Sequence, residues 1–185
     1  MKRISVVGSS GSGGPAVARR LAEALSVCHV ELDALHWGAN WSAATKDELS
    51  ERVKAATLGE GWVVDGNYWS KLGPQVWTTA DTVVWVSPPR WRTMWQPVTR
   101  TVRRAATRQE LWAGNRESWR GLMFWRGEDS ILWWAWTTYA RTHGRYAHAM
   151  DDPHWKHITF HRLRTRREID RFVAQARAHG GATGE

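Results

Sequence analysis

The residues with the clearest chemical signal form a glycine-rich stretch close to the start of the sequence. It reads Gly8, Ser9, Ser10, Gly11, Ser12, Gly13 and Gly14, and it follows a short apolar run. Glycines allow successive backbone N–H groups to converge on an anion at the start of a helix, so the stretch is typical of a phosphate-binding loop. The alternative is a glycine turn that binds nothing.

Two side chains that such a loop ordinarily uses are missing here. In the pattern G-x-x-x-x-G-K-[ST], Gly14 stands at the Lys position and Pro15 at the Ser/Thr position. Gly14 has no ammonium for the terminal phosphates, and Pro15 has neither a hydroxyl for Mg²⁺ nor an N–H. Because proline is tolerated at the first position of a helix, we expect the turn to be kept. Ordinary ATP turnover is disfavoured, because phosphoryl transfer depends on neutralising the charge of the transferred group.

Polar residues also follow three predicted strands. Asp33 comes after the second, Asp65-Gly66-Asn67-Tyr68 after the third, and Ser87-Pro88-Pro89-Arg90 after the fourth. In an open parallel sheet the carboxyl ends of the strands share one edge, where ligands bind. We therefore expect these residues and the loop to meet there. The alternative for each Asp is a cap or turn residue.

Hydrophobic periodicity predicts the elements that position these residues. Strands are predicted over 2–7, 27–32, 62–65, 82–86 and 157–163, and helices over 15–26, 45–58, 90–107, 119–150 and 166–178. Thr45 with Glu48 three residues later predicts a helix-capping box, and breaks are expected near Gly127 and Gly144. The alternation predicts a parallel sheet covered on both faces, and the absence of repeats and linkers predicts a single domain over 1–185.

Together these residues resemble the adenylate-kinase-like P-loop proteins, nearest the group labelled topology modulation proteins. The resemblance covers nearly the whole chain. It is carried by Gly8-x-x-Gly11-x-Gly13, Leu32-Asp33-Ala34-Leu35-His36-Trp37, Val64-Asp65-Gly66-Asn67-Tyr68, Pro89-Arg90-Trp91, Leu163-Arg164 and Arg167-Glu168. It implies an α/β three-layer fold with a five-stranded parallel sheet of order 2-3-1-4-5. It also implies an ATP site over the loop, an acceptor site above strands two and three, and a helical lid, rich in Arg and Trp, over about 100–148.

The resemblance also implies roles for individual residues. Asp33 would orient or deprotonate an acceptor hydroxyl or hold a metal through water, and Asp65 would hold a Mg²⁺-bound water or an acceptor group. Arg90 and Arg141 are the expected catalytic arginines. Any of the arginines on or near the lid could replace the missing Lys, and the alternative for each is a solvated surface residue; they are Arg104, Arg108, Arg116, Arg120, Arg126, Arg141 and Arg145. The expected substrate-binding residues are His36, Trp37, Asn67, Tyr68, Trp69, Arg104 and Arg108. ATP and Mg²⁺ are the implied cofactors, and the altered loop argues against both.

Composition narrows the class of ligand. The formal net charge is +8, and five Lys and 21 Arg make up the 26 basic residues. Arginine forks match phosphate oxygens, so the excess favours a phosphorylated ligand unless it reflects codon composition alone. Because the basic residues form no continuous tract, nucleic acid is disfavoured as a partner. The fifteen Trp are read mainly as core filler, with a subset able to stack on a flat ligand.

Cysteine content, histidine content and hydropathy bear on disulfides, metal sites and cellular location. The single cysteine, Cys28, excludes an internal disulfide and is expected to be a small buried residue. The eight His lack the framework of a zinc site, so no metal site is predicted from them. Without a signal peptide or an apolar run of about 20 residues, the chain is predicted to be cytoplasmic, with a small-molecule partner and no membrane. The oligomeric state is left open.

Three functions fit this pattern. The first is a small-molecule phosphotransferase of the nucleotide-kinase type, in which lid arginines replace the Lys. The second is a repurposed scaffold that binds or transforms a flat or apolar molecule without ATP. The third is a non-catalytic nucleotide-binding protein. The altered loop favours the last two, and the residues after strands two to four favour the first two.

Overall fold

The computed structural model describes residues 1–91, 93, 99, 112–114 and 131–181, without the side chains of 131–138 and 179–181. Its strands are β1 (Arg3–Gly8), β2 (Cys28–Glu31), β3 (Trp62–Asp65), β4 (Thr82–Val86) and β5 (Thr159–Leu163). Its helices are α1 (Gly14–Leu25), α2 (Leu32–His36), α3 (Lys46–Ala56), α4 (Trp69–Leu72), α5 (Ile131–Asp151) and α6 (Arg166–Gly181). Short 3₁₀ turns occur at Ala39–Trp41, Trp112–Gly114 and Pro153–Trp155.

The five strands in the described ranges form one parallel sheet of order β2-β3-β1-β4-β5, which confirms the expected order. Gly8 pairs with Val86 and Glu31 pairs with Asp65, so the carboxyl ends of these strands lie level at one edge. The glycine loop and the predicted acceptor residues therefore start from the same edge of the sheet.

Helices cover both faces of the sheet, as its strands require. The strand β4 is buried along its whole length and consists of Thr, Val and Trp, which is usual for a parallel strand covered on both sides. On one face, α1 and α6 pack on the sheet through Leu21 and Phe172. On the other face, Leu49 of α3 packs near β2 and β3, and Tyr146 of α5 packs near β4.

Four of the described tryptophans belong to the core. Trp62, Trp77, Trp85 and Trp155 are all buried. Trp77 lies edge-on to Trp155 with 5.2 Å between the ring centroids. Trp41 and Trp91, in contrast, are exposed, Trp91 to 72%.

Of three local predictions, one is confirmed and two are wrong. The capping box at the start of α3 is confirmed, since Thr45 N–H donates to Glu48 Oε2 at 2.8 Å and Glu48 N–H donates to Thr45 Oγ1 at 3.2 Å. The break near Gly144 is wrong, because α5 continues through it. Cys28 is exposed, which corrects the prediction that it is buried.

The expected lid over 100–148 falls largely outside the described residues, and so does Gly127. The part of the expected lid over 131–148 belongs to α5, which packs against the sheet through Tyr146. None of the helices in the described ranges is both long and apolar enough to cross a membrane.

Candidate functional site

The glycine loop connects β1 directly to α1. Gly11 and Gly13 have φ angles of 78° and 90°, in the left-handed region that favours glycine. Gly8 lies so close to β4 that an added Cβ would stand 2.7 Å from Val86 O. Ser12 N–H donates to Ser9 O at 3.0 Å, which closes the turn. The backbone geometry of the loop thus depends on glycine at several positions.

A cavity of about 330 Å³ lies beside this loop, between the start of α1 and the connection from β5 to α6. Its lining includes Ser12, Gly13, Arg20, Arg164 and Thr165. Arg20 also pairs with Asp170 at 2.7 Å. The volume falls within the range of about 300–1,000 Å³ that is usual for small-molecule sites.

Asp33 and Tyr68 meet across the ends of β2 and β3. The Tyr68 hydroxyl donates to Asp33 Oδ1 at 2.7 Å. Burial raises the pKa of Tyr68, and the Asp33 carboxylate raises it further, so Tyr68 remains a hydrogen-bond donor. Gly66, with φ of 132°, lets the chain after β3 pass close to Leu32, the neighbour of Asp33. A Cβ at position 66 would stand 2.8 Å from Leu32 Cβ.

Asn67 connects the end of β3 to α5. Its side-chain amide donates to Thr142 Oγ1 at 3.4 Å and accepts from the Tyr146 hydroxyl at 2.9 Å. Trp69 follows and faces the Arg145 guanidinium, 5.6 Å from the ring centroid. A small cavity of about 30 Å³ is lined by Asn67, Tyr68, Trp69 and Tyr146, among others. The structure thus brings the three predicted substrate residues of this turn together.

His36 and Trp37 close the same region from the end of α2. The His36 ring is 3% exposed and lies edge-on to Trp37 at 4.6 Å and to Tyr68 at 4.9 Å. Its Nε2 is 3.3 Å from Lys71 Nζ, and lysine only donates, so Nε2 accepts. Burial first, and then Lys71, lowers the pKa of His36. The ring is therefore neutral with its proton on Nδ1, which is buried and has no partner among the described residues.

Asp65 lies buried beside a histidine of β2, and its predicted role stays a prediction. It is 5% exposed, and its Oδ2 lies 2.5 Å from His29 Nε2. Burial raises the pKa of Asp65, while the His29 hydrogen bond opposes that shift. The sequence reading missed His29, which lies inside β2 and gave no signal beyond its residue type.

Glu31 extends this carboxylate–histidine pair toward α1. Its carboxylate lies 3.8 Å from His29 Nδ1 and 3.6 Å from the Arg19 guanidinium. The Trp112 indole N–H donates to Glu31 at 3.1 Å, so Trp112 reaches the end of β2. Asp65 is thereby part of a polar network on the α1 side of the sheet.

The predicted arginines lie in three different situations. The Arg90 guanidinium stands over the Tyr139 ring, 5.4 Å from its centroid. Arg141 is exposed on α5, and Arg104 and Arg108 lie outside the described residues. Their catalytic and binding roles stay predictions. In the ranges the structure describes, no group of three or more His, Cys, Asp or Glu is placed to hold a metal ion.

No protein-family model and no curated protein matches the sequence. Among solved structures, the chain is similar to a gluconokinase from Sinorhizobium meliloti 1021, with 18% identity and a TM-score of 0.52 over 98% of this chain and 92% of that one. The chain has a P-loop NTPase fold. It is also similar to a ParA family ATPase from Chlorobium tepidum TLS, at 13% identity and a TM-score of 0.37 over 100% of this chain and 93% of that one.

Proposed function

We propose that this protein is a small-molecule phosphotransferase of the nucleotide-kinase type whose phosphate loop works without the usual Lys and hydroxyl. The observation that carries the proposal is the Asp33–Tyr68 contact of 2.7 Å, which holds a carboxylate at the sheet edge that also bears the glycine loop. The kinase name of the solved relative, a gluconokinase, supports the reaction class. Within that class, the altered loop and the residues after β2 and β3 favour the branch near the topology modulation proteins.

The two ligands occupy opposite sides of the loop in this proposal. The nucleotide lies in the cavity of about 330 Å³ beside Ser12 and Gly13, with its phosphates toward the backbone N–H groups of the loop. The acceptor lies on the side of Asp33, Asn67 and Tyr68. Asp33 takes the proton of the acceptor hydroxyl, whose oxygen forms a bond to the terminal phosphorus as the bond to the nucleoside diphosphate breaks.

The residues present fit a nucleotide phosphate better than they fit Mg²⁺. The glycine backbone is shaped for an anion, but Pro15 offers no hydroxyl, and Asp65 is buried against His29. No step of the proposal therefore passes through a metal ion. Neutralising the transferred charge falls to arginines, for which Arg90 and Arg141 are the candidates, and Arg104 and Arg108 are proposed to bind the acceptor.

A second candidate is favoured by the Asp65–His29 contact. A carboxylate that is buried and hydrogen-bonded to histidine at 2.5 Å is withdrawn from the metal-binding role of the ordinary kinase site. The scaffold would then bind or transform a flat or apolar small molecule without ATP, in the Trp-rich region around Trp37 and Trp69, or it would bind a nucleotide without turning it over.

The test is acceptor-dependent release of ADP from ATP. The protein is incubated with ATP and a panel of sugars, sugar acids and nucleosides, with and without Mg²⁺. The matched variants are Asp33→Asn and Asp47→Asn, because Asp47 is an exposed carboxylate on α3. We expect Asp33→Asn to lower turnover by about 10²–10⁴-fold, the usual contribution of a general base, and Asp47→Asn to leave it unchanged.

Two results would count against the proposal. Equal turnover in wild type and Asp33→Asn would remove Asp33 from its role as base. No acceptor-dependent ADP release with any acceptor class, together with quenching of tryptophan fluorescence by flat aromatic probes in the absence of ATP, would favour the second candidate.

A further inference from the structure

The cavity of about 330 Å³ beside the glycine loop continues along α1, away from the loop itself. Gly13 lines the cavity at the loop, and Ala16 and Arg20 line it on the following turns of α1. At a rise of 1.5 Å per residue, the helix from Gly13 to Arg20 extends by about 10 Å. The cavity therefore has two ends, one at the loop and the other at Arg20.

Arginines dominate the end of the cavity that lies away from the loop. Arg20 forms an ion pair with Asp170 of α6 at 2.7 Å. Arg166 also lines the cavity, and it precedes Asp170 by four residues in α6, so the two lie on the same face of that helix. Arg20 and Arg166 therefore share this end, which we call the arginine end. Arg164, in the connection from β5 to α6, lines the same cavity.

The start of α6 is already capped by the protein itself. Glu168 Oε2 accepts hydrogen bonds from the N–H groups of Arg164 at 2.6 Å and Thr165 at 3.3 Å. Thr165 Oγ1 in turn accepts from the Glu168 N–H at 3.2 Å. Because these backbone donors are engaged, an anion at this end is bound by arginine side chains and not by the helix terminus.

The wall and the mouth of the cavity differ in polarity. Val17, Val86 and Leu163 line it and are buried, so its wall is apolar. The side chains of Arg20 and Asp170 are 42% and 51% exposed, so the arginine end opens to solvent. A nucleotide held at its 5′-phosphates by the loop would place its ribose and base along this wall. Guanidinium groups match phosphate oxygens bidentately, so the arginine end suits a further phosphate on the ribose.

We propose that Arg20 and Arg166, with Arg164 beside them, bind a phosphate group on the 2′ or 3′ oxygen of the ribose. The nucleotide of this site then carries phosphate at two positions, with the 5′-phosphates at the loop and the ribose phosphate at the arginine end. ATP fills only the loop end with phosphate and binds more weakly than such a nucleotide. The placement of a nucleotide in this cavity rests on the proposed function, and the choice of a ribose-phosphorylated nucleotide goes beyond it.

The test compares nucleotides that differ by a single phosphate, by calorimetric titration into the full chain. The probes are AMP, adenosine 2′,5′-bisphosphate and adenosine 3′,5′-bisphosphate. We expect at least one bisphosphate to bind about tenfold more tightly than AMP, as one hydrogen bond between charged groups contributes at a partly exposed site. The tighter of the two bisphosphates identifies the ribose oxygen that carries the phosphate.

Variants of matched charge separate a specific contact from the general attraction of an anion to a basic protein. Arg166→Gln and Arg20→Gln should each remove most of the preference for the bisphosphate and leave the Kd for AMP close to that of wild type. Arg166 is exposed, so its variant serves if Arg20→Gln, which breaks the pair with Asp170, does not fold. Arg177→Gln removes the same charge from an exposed position later in α6 and should keep the full preference.

Equal affinity of the wild type for AMP and both bisphosphates would overturn the inference, and so would binding of none of the three. A loss of preference in Arg177→Gln as large as in Arg166→Gln would reduce the effect to net charge and overturn it as well. Release of ADP from ATP without any bisphosphate preference would leave the phosphotransfer standing and remove the ribose-phosphate site. A preference that depends on Arg166, without ADP release, would support that site while the phosphotransfer fails.

Discussion

The Tyr68 hydroxyl donates a hydrogen bond to Asp33 Oδ1 at 2.7 Å, which joins the segments that follow two neighbouring strands. Since burial keeps Tyr68 protonated, the contact fixes the direction of the Asp33 carboxylate. The acceptor side of the site therefore depends on this pair.

Replacing Tyr68 with Phe should release Asp33 without removing the carboxylate. We expect a loss of about 1 kcal/mol in the free energy of unfolding, measured in urea, because one hydrogen bond to a partly buried charge disappears. The KM for the acceptor should rise more than kcat falls. An unchanged KM for the acceptor in folded Tyr68→Phe would contradict the orienting role.

Gly8 is expected to be the least replaceable residue of the loop. A Cβ at position 8 would stand 2.7 Å from Val86 O, so Gly8→Ala should cost about 1–3 kcal/mol of unfolding free energy through overpacking. At Gly14 the nearest atoms to a Cβ are Ser12 Oγ at 3.8 Å and Val6 Cγ1 at 4.0 Å. Gly14→Ala should therefore be neutral or slightly stabilising. Equal losses in the two variants would mean that the close approach to β4 does not constrain the loop.

Asp65 should make stability depend on pH in the acidic range. Its pKa is raised above the ordinary value of 3.8, chiefly by burial. The stabilisation from its neutral form is therefore complete below 3.8 and is lost as the pH rises through the higher value of the folded state. Asp65→Asn cannot ionise, so the free energy of unfolding of this variant should rise relative to wild type over that window.

Urea titrations at a series of pH values measure this difference. Asp47→Asn, at an exposed carboxylate, is the control and should show no such trend. A difference between Asp65→Asn and wild type that stays constant, or that changes in the opposite direction, would show that His29 compensates fully for the burial of Asp65.

Gly144 lies inside α5, and no atom lies within 4 Å of a Cβ built there. We expect Gly144→Ala to stabilise the protein by about 0.5–1 kcal/mol, because alanine loses less backbone freedom than glycine in a helix interior. The midpoint of urea unfolding should rise. A fall would mean that the helix uses the flexibility of Gly144.

Local patterns predicted the sheet because its strands are short apolar runs bounded by glycine and proline, as β4 is by Ser87-Pro88-Pro89. The capping box of α3 was equally local, since Thr45 and Glu48 make their contacts within one turn. The five-residue helix α2 was not predicted, because it is too short for helical periodicity to show. Gly144 was misread since tertiary packing of α5 overrides a single weak helix former.

The sequence predicted where the candidate site lies, but it did not predict which side chains contact each other there. Strand ends placed Asp33, Asp65 and Tyr68 at one edge, whereas the partner of each depends on the register between strands. His29 reaches Asp65 because β2 and β3 pair with Glu31 opposite Asp65. Arg20 and Asp170 come from separate helices, and only the fold brings them together beside the cavity.

Calorimetric titration of ATP into the native chain, with and without Mg²⁺, tests the central claim most directly. The same titration is made on a variant that carries Gly14→Lys and Pro15→Ser together. If the loop holds nucleotide phosphate without its usual Lys and metal ligand, the native chain binds ATP with little dependence on Mg²⁺, and the double variant binds more tightly and gains that dependence. Binding of ATP by the double variant alone, with none by the native chain, would contradict the account.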